Sequence, residues 1–160
     1  MLELREAELS DVPSLEIIRQ QSLERGFSRV DEYDRSVFSR LIEHDSDSLR
    51  DRIESESSVV LVAETDLTPV CFGVLAESSE TQTRVEGLYT SPNHSNCGCA
   101  SRVLERFEEI ADDDGSITAE APLNSVGFFE SKGFEKVRDK QKDGIRVVRL
   151  EKDATSGEDE

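Results

Sequence analysis

The chain has 160 residues, a length that suits one domain built around one core. Asp and Glu number 36 against 19 Lys and Arg, for a formal net charge of −17. No basic stripe is present, and repulsion from an anionic backbone opposes a nucleic-acid partner.

The acids are spread along the chain, and only five of the cations are lysines against fourteen arginines. That composition suits a salt-filled cytoplasm, where a short Debye length quiets self-repulsion. The folded circular-dichroism signal is therefore expected to fall when molar KCl is removed; an unchanged spectrum counts against salt adaptation. The cysteines are Cys71, Cys97 and Cys99, an odd number. The last two are too close for an easy disulfide, so reduced thiols and a cytoplasmic setting are expected. No signal-peptide pattern opens the chain, and no apolar run approaches a membrane span.

In chain order, Leu2 to Glu6 alternates as a short strand. "SDVPSLEIIRQQSLERG" follows as a helix, capped by Ser10, with Pro13 in its first turn and Gly26 as its stop. Val12, Leu15 and Ile18 share one face. "DRSVFSRLIEHD" and "SDSLRDRIESE" each have helical spacing, with Val37, Leu41 and then Leu49, Ile53 on their apolar sides. "SSVVLVAETD" and "TPVCFGVLAES" are antiparallel neighbours turning at "DLTP". "TQTRVEGLYTSP" is a further strand, and Gly87 within it predicts a bulge or a close backbone approach. From about Gly98, the residues Ala100, Val103, Leu104, Phe107, Ile110 and Ala111 mark one face of an amphipathic helix ending at "DDDG". "SITAEAP" is a strand, "LNSVGFFESKG" a short helix, and "FEKVRDK" with "IRVVRLEK" a hairpin turning at Asp143-Gly144. Residues 153–160 form an acidic tail. The order predicts an α/β sandwich with a mixed, mostly antiparallel sheet over 1–152.

The stretch "SPNHSNCGCASRVLERFEEIA" poses a choice. His94, Cys97 and Cys99, with His44 or Cys71 more distant, offer soft ligands to a metal. One C-x-C without a second pair is poor zinc spacing, and such cysteines also pack turns as small apolar residues. The alternative is an anion site: a strand, a tight Gly loop and a helix start occur in that order. Ser95, Asn96, Cys97, Gly98, Cys99, Ala100 and Ser101 are all small, so a ligand can reach the main chain. No metal is expected.

"VEGLYTSPNHSNCGCASRVL" resembles the coenzyme-A signature of the GNAT superfamily of N-acyltransferases, through Leu88, Tyr89, Thr90 and Pro92, then Ser95-x-x-Gly98-x-Ala100. "NSVGFFESKGFEKV" is similar to a second element of that family, through Asn124, Phe128, Gly133 and Phe134. The resemblance runs from about Leu2 to Lys152 and implies a three-layer GNAT sandwich. It implies acetyl-CoA as co-substrate, its pyrophosphate on the N–H groups of Asn96 to Ser101, and its pantetheine arm along the strand Gly87 to Thr90, with Leu88, Tyr89 and Thr90 as its contacts. It further implies acyl transfer to a primary amine, carried by a small molecule or a protein. The Leu88 N–H is then the oxyanion donor and Glu86 the candidate base, two residues away and on the same face. His94 and His44 are weaker candidates. Asn124 and Phe129 fall in the cofactor-binding element; hydrophobic final strands often pair in this family, which leaves a homodimer open alongside a monomer. Two departures stand out: Ser95 replaces a usual Gln or Arg, and Phe129 replaces a frequent tyrosine that protonates the leaving thiolate. Phe128 reads as a core residue. With these departures, a non-catalytic acyl-CoA-binding module is the alternative.

Overall fold

The computed structural model describes residues 2–27, 46–79, 82–94, 98–111, 116–142 and 145–153. Several readings lie outside them: the helix "DRSVFSRLIEHD" with His44, loop residues Ser95, Asn96 and Cys97, the segment "DDDG", the turn at Asp143-Gly144, and the tail from 154 onward.

The strands are β1 (Leu2–Glu6), β2 (Ser58–Thr65), β3 (Thr68–Ser79), β4 (Gln82–Thr90), β5 (Ser116–Pro122), β6 (Glu135–Lys142) and β7 (Ile145–Asp153). They form one sheet in the order β1-β2-β3-β4-β5-β7-β6. Only β4 and β5 are parallel; the other neighbours are antiparallel. Asp153 still pairs with Ser116, so β7 reaches one residue into the stretch expected to be tail.

The helices are α1 (Val12–Phe27), α2 (Ser46–Glu54), α3 (Cys99–Ala111) and α4 (Val126–Ser131). Two buried clusters show how they cover the sheet. On one face Val12, Leu15 and Ile18 of α1 and Leu49 of α2 meet Val60, Val62, Phe72 and Val74. On the other, Val103, Leu104 and Phe107 of α3 and Phe129 of α4 meet Leu61, Cys71, Val85, Ile117 and Leu150. Period-two alternation in the strands sends each set to its own layer. The fold is the expected three-layer sandwich. Each large side chain buried this way contributes on the order of 1.5–3 kcal/mol.

Local details depart from the sequence reading. A single turn, Leu9–Asp11, precedes α1. Its start is held by Asp11 rather than Ser10: the Glu8 N–H donates to Asp11 Oδ2 at 2.7 Å. Arg5 also donates to both oxygens of Asp11 at 2.8 Å, and these bonds hold the carboxyl below its usual range. Gly26 does not stop the helix, which runs on to Phe27. The β2–β3 turn has Asp66 (φ 50°) and Leu67 (φ 67°) in the left-handed region, the requirement of a type I′ hairpin. In α3, Ile110 is exposed, while Cys99 takes a buried position instead.

Gly73, mid-β3, lets α3 sit close to the sheet. A Cβ there would lie 2.8 Å from Phe107, 3.0 Å from Val103 and 3.1 Å from Leu88. Gly73→Ala is expected to cost about 1–3 kcal/mol by overpacking, read as a lower urea midpoint with an unchanged slope. An unshifted midpoint would show that the layers yield freely.

Candidate functional site

The site begins with an irregularity in β4. Pairing with β3 steps from Val74↔Gly87 to Leu75↔Val85, so Glu86 is an extra residue with no partner across the ladder. The bulge expected near Gly87 is therefore centred on its neighbour. Beyond the same point β4 loses β5: their pairing ends at Val85↔Ala119. β4 continues to Thr90, while β5 continues to Pro122 against β7. A bulge bends its strand and ends pairing, and here it opens a wedge between two parallel strands.

The main chain facing that wedge can be read from one bond. The Ser91 N–H donates to Val70 O at 2.8 Å, so Ser91 points its backbone toward β3. Alternation turns Tyr89 and Gly87 the same way, and turns the N–H and C=O of Leu88 and Thr90 into the wedge. Among the described residues no strand pairs with that side of β4 beyond Val85.

The side chains sort into two faces. Leu88 packs against the α3 layer, and Thr90 Oγ1 donates to Cys71 Sγ on that face at 3.5 Å. Tyr89 stacks at 5.2 Å on Phe72 in the α1 layer, its ring lying over Gly87. Glu86 faces α2, so Glu86 and Leu88 lie on opposite faces. Simple alternation placed them together; the extra residue reverses the parity.

Glu86 is held by two arginines. Arg52 of α2 donates from Nε to Oε1 at 2.6 Å and from Nη2 to Oε2 at 2.9 Å. Arg84 donates from Nη2 to the same Oε2 at 2.9 Å. Oε2 is thus saturated, and Oε1 keeps one lone pair. Neither arginine was singled out from the sequence. A trace was there in "TRVEG", where an acid and a base two residues apart sit on one strand face.

Beyond β4 the chain passes through the turn Pro92–His94 and leads to the start of α3. Gly98 is exposed at φ 79°, and a Cβ built on it meets nothing within 4 Å. The first helical bond runs from the Arg102 N–H to Gly98 O at 3.1 Å, so the Ala100 and Ser101 N–H groups precede the ladder. Helix-start N–H groups beside a bare glycine fit an anionic group that approaches the backbone closely. Ser95, Asn96 and Cys97 complete the expected loop in sequence but lie outside the described residues. Arg102 is exposed. Arg25 Nη1 donates to Pro92 O at 2.8 Å, tying α1 to the chain entering the loop.

Other expected residues fall elsewhere. Phe129 is a core residue, edge-on to Phe128 and Phe134 at 5.4 and 5.3 Å, and presents little surface to a ligand. Phe128, read as core, is only half-buried, under the Lys132 ammonium. Asn124 lies in the single turn Leu123–Ser125 that joins β5 to α4. His94 ends the turn Pro92–His94, its Nδ1 buried without a hydrogen-bond partner. Among the described residues no three His, Cys, Asp or Glu gather as a metal site. Cys71 is a free thiol that burial pushes up to about 11. Cys99 is disulfide-bonded, contrary to the expectation of reduced thiols. The left-handed turn at Gly98 just before it is a feature that spacing alone did not weigh.

The sequence model of the family described as "Acetyltransferase (GNAT) domain" matches residues 18–154. The chain belongs to the GNAT acetyltransferase family. A search among curated proteins finds no sequence match. Solved structures share the GNAT fold at low identity. PaiA N-acetyltransferase from Thermoplasma acidophilum, in complex with coenzyme A, superposes with a TM-score of 0.80 at 20% identity, over 96% of this chain and 99% of that one. The ribosomal-protein-alanine N-acetyltransferase of Brucella melitensis gives 0.69 at 20% identity, over 94% and 99%. YncA from Salmonella typhimurium, a putative acetyltransferase with its cofactor acetyl-CoA, gives 0.65 at 15%, over 97% and 95%. Among the described residues no helix of this GNAT chain is long and apolar enough to cross a membrane.

Proposed function

We propose that this chain transfers an acyl group, acetyl by preference, from acyl-CoA to a primary amine. The observation that carries the reading is the wedge: the main chain of Leu88 and Thr90 faces the side of β4 that β5 leaves beyond Val85, and the chain then leads to the bare start of α3. GNAT membership and the coenzyme A and acetyl-CoA held by two relatives in fold support the choice of donor.

Acetyl-CoA supplies the acyl group as a thioester. In this reading the Gly98, Ala100 and Ser101 backbone, with Ser95, Asn96, Cys97 and Cys99, receives the pyrophosphate. Leu88, Tyr89 and Thr90 carry the pantetheine arm as an added strand through main-chain bonds, and Asn124 borders it. The Leu88 N–H donates to the thioester carbonyl oxygen as negative charge develops there. Only a neutral amine can attack, so its proton must leave; Glu86 accepts it on the lone pair that Oε1 retains, directly or through one water. The C–S bond breaks as the amide C–N bond forms. Water protonates the departing sulfur, because the core position of Phe129 offers no phenol. A thiol is a fair leaving group near neutral pH without that help.

Thiol release from acetyl-CoA across an amine panel, with the acetylated product detected by mass, tests the reading. The missing phenol at Phe129 favours one alternative, a module that binds acyl-CoA without chemistry. Calorimetric binding of acetyl-CoA with no thiol release on any amine would decide for it.

A further inference from the structure

Three charged groups meet at the bulge, and their balance is local surplus of positive charge in a chain that is otherwise strongly acidic. Arg52 spends its Nε and Nη2 edge on both oxygens of Glu86 and is satisfied there. Arg84 has less: its one bond to Glu86 goes to an oxygen already taken by Arg52. Its Nε is buried with no hydrogen-bond partner. A guanidinium in that state carries charge and a donor edge that Glu86 does not use. Its side chain is still about a third exposed (35%), so an incoming molecule can reach it with a rotamer change. Thr118, in register beside Arg84 on β5, brings no charge to oppose an anion.

Resting on the acyl-transfer reading, we propose that Arg84 selects the acceptor: the amine that this site takes carries a carboxylate. Glu86 addresses the amine end and Arg84 the carboxylate end. Arg84 Nη2 lies 2.9 Å from Glu86 Oε2, so the amine docks at Oε1 and the carboxylate on the guanidinium edge turned away from Glu86, ends that a flexible chain of several carbons can join. The fork of Arg84 matches a carboxylate in a way an ammonium or a neutral amide does not. The chemistry is that of a long amino acid or a short acidic peptide, not of a purely cationic polyamine. General attraction of cations to the acidic surface points the other way, but it acts at long range and fades with salt, whereas a paired guanidinium acts at contact.

The test compares 6-aminohexanoate with hexylamine, which share the amine and chain length but differ in the carboxylate. The wild-type chain is expected to give the carboxylate acceptor the higher kcat/KM, by roughly tenfold or more. Arg84→Gln should erase most of that ratio, and Arg84→Lys should restore part of it. A second readout is independent of turnover: the product 6-acetamidohexanoate should bind the wild type in a calorimetric titration and bind Arg84→Gln more weakly. Acetyl-CoA affinity and circular dichroism confirm that each variant is folded. Equal kcat/KM for both amines, or a ratio unchanged by Arg84→Gln, overturns this inference and leaves acyl transfer standing. Turnover of no amine at all removes acyl transfer, and this inference with it.

Discussion

Gly98→Val is expected to weaken acetyl-CoA binding by about a hundredfold, because the ligand must touch main-chain N–H groups that a branched side chain would screen. Two costs are separable here. The backbone cost comes from φ 79°, a region that disfavours any residue with a Cβ and most of all a branched one. It is expected to lower stability by about 1–2 kcal/mol. The steric cost inside the protein is expected to be small, since a Cβ at this position meets nothing within 4 Å. Any loss of affinity beyond the modest loss of stability must therefore arise in the space outside the protein, where the pyrophosphate is proposed to sit. Calorimetry with acetyl-CoA, run beside urea denaturation, gives both numbers. Full affinity in a folded Gly98→Val chain would remove the phosphate cradle.

The second large effect is expected at Glu86. Glu86→Gln keeps the shape of the side chain and deprives the site of its proton acceptor, so kcat for amine acetylation should fall on the order of a hundredfold. Acetyl-CoA affinity should be retained, because the side chain lies on the α2 face and the proposed arm follows the main chain in the wedge. Glu86→Ala does further harm: it leaves Arg52 and Arg84 facing each other without the carboxylate between them. Both arginines are more than a third or about a third exposed, so solvent screens much of that repulsion. A stability loss of about 1 kcal/mol is expected, well below the cost of breaking a buried pair. Steady-state kinetics on both variants, with an unfolding midpoint for each, separates chemistry from packing. Turnover by Glu86→Gln at the wild-type rate would exclude it as the base.

Much of this was legible in the residues. Alternation gave the strands, and the spacing of Val103, Leu104 and Phe107 gave the amphipathic helix, because a period of 2 or 3.6 is written in side-chain polarity itself. Gly87 flagged the bulge, since glycine inside a strand marks such places. What escaped was anything that depends on register. Which strand face Glu86 would take turned on one unpaired residue, and no side-chain pattern records that. The partnership of Arg52 with Glu86 joins a helix and a strand 34 positions apart, which a linear reading does not connect. The start of α1 was misassigned for a related reason: Ser10 is a good cap by type, but Arg5 fixes Asp11 from the edge strand. Phe129 is the ring that α4 buries most fully, with Phe128 packed half-buried beside it, because in a six-residue helix one position decides which ring faces inward.

The odd residue in β4 makes the strand a frame-shifted ruler. Upstream of it, even-numbered Arg84 looks toward α2; downstream, even-numbered Leu88 looks toward α3. Excising a single amino acid between them would restore regular pleating at the expense of that inversion. Residues on both sides of the excised one would keep their partners on β3, so Tyr89 would stay opposite Phe72 and the Leu88 amide would still face the gap; what would go is the additional position that turns an acid toward α2. Length at this point, more than the identity of any neighbour, keeps the Glu86 and Leu88 side chains on separate faces of the same sheet.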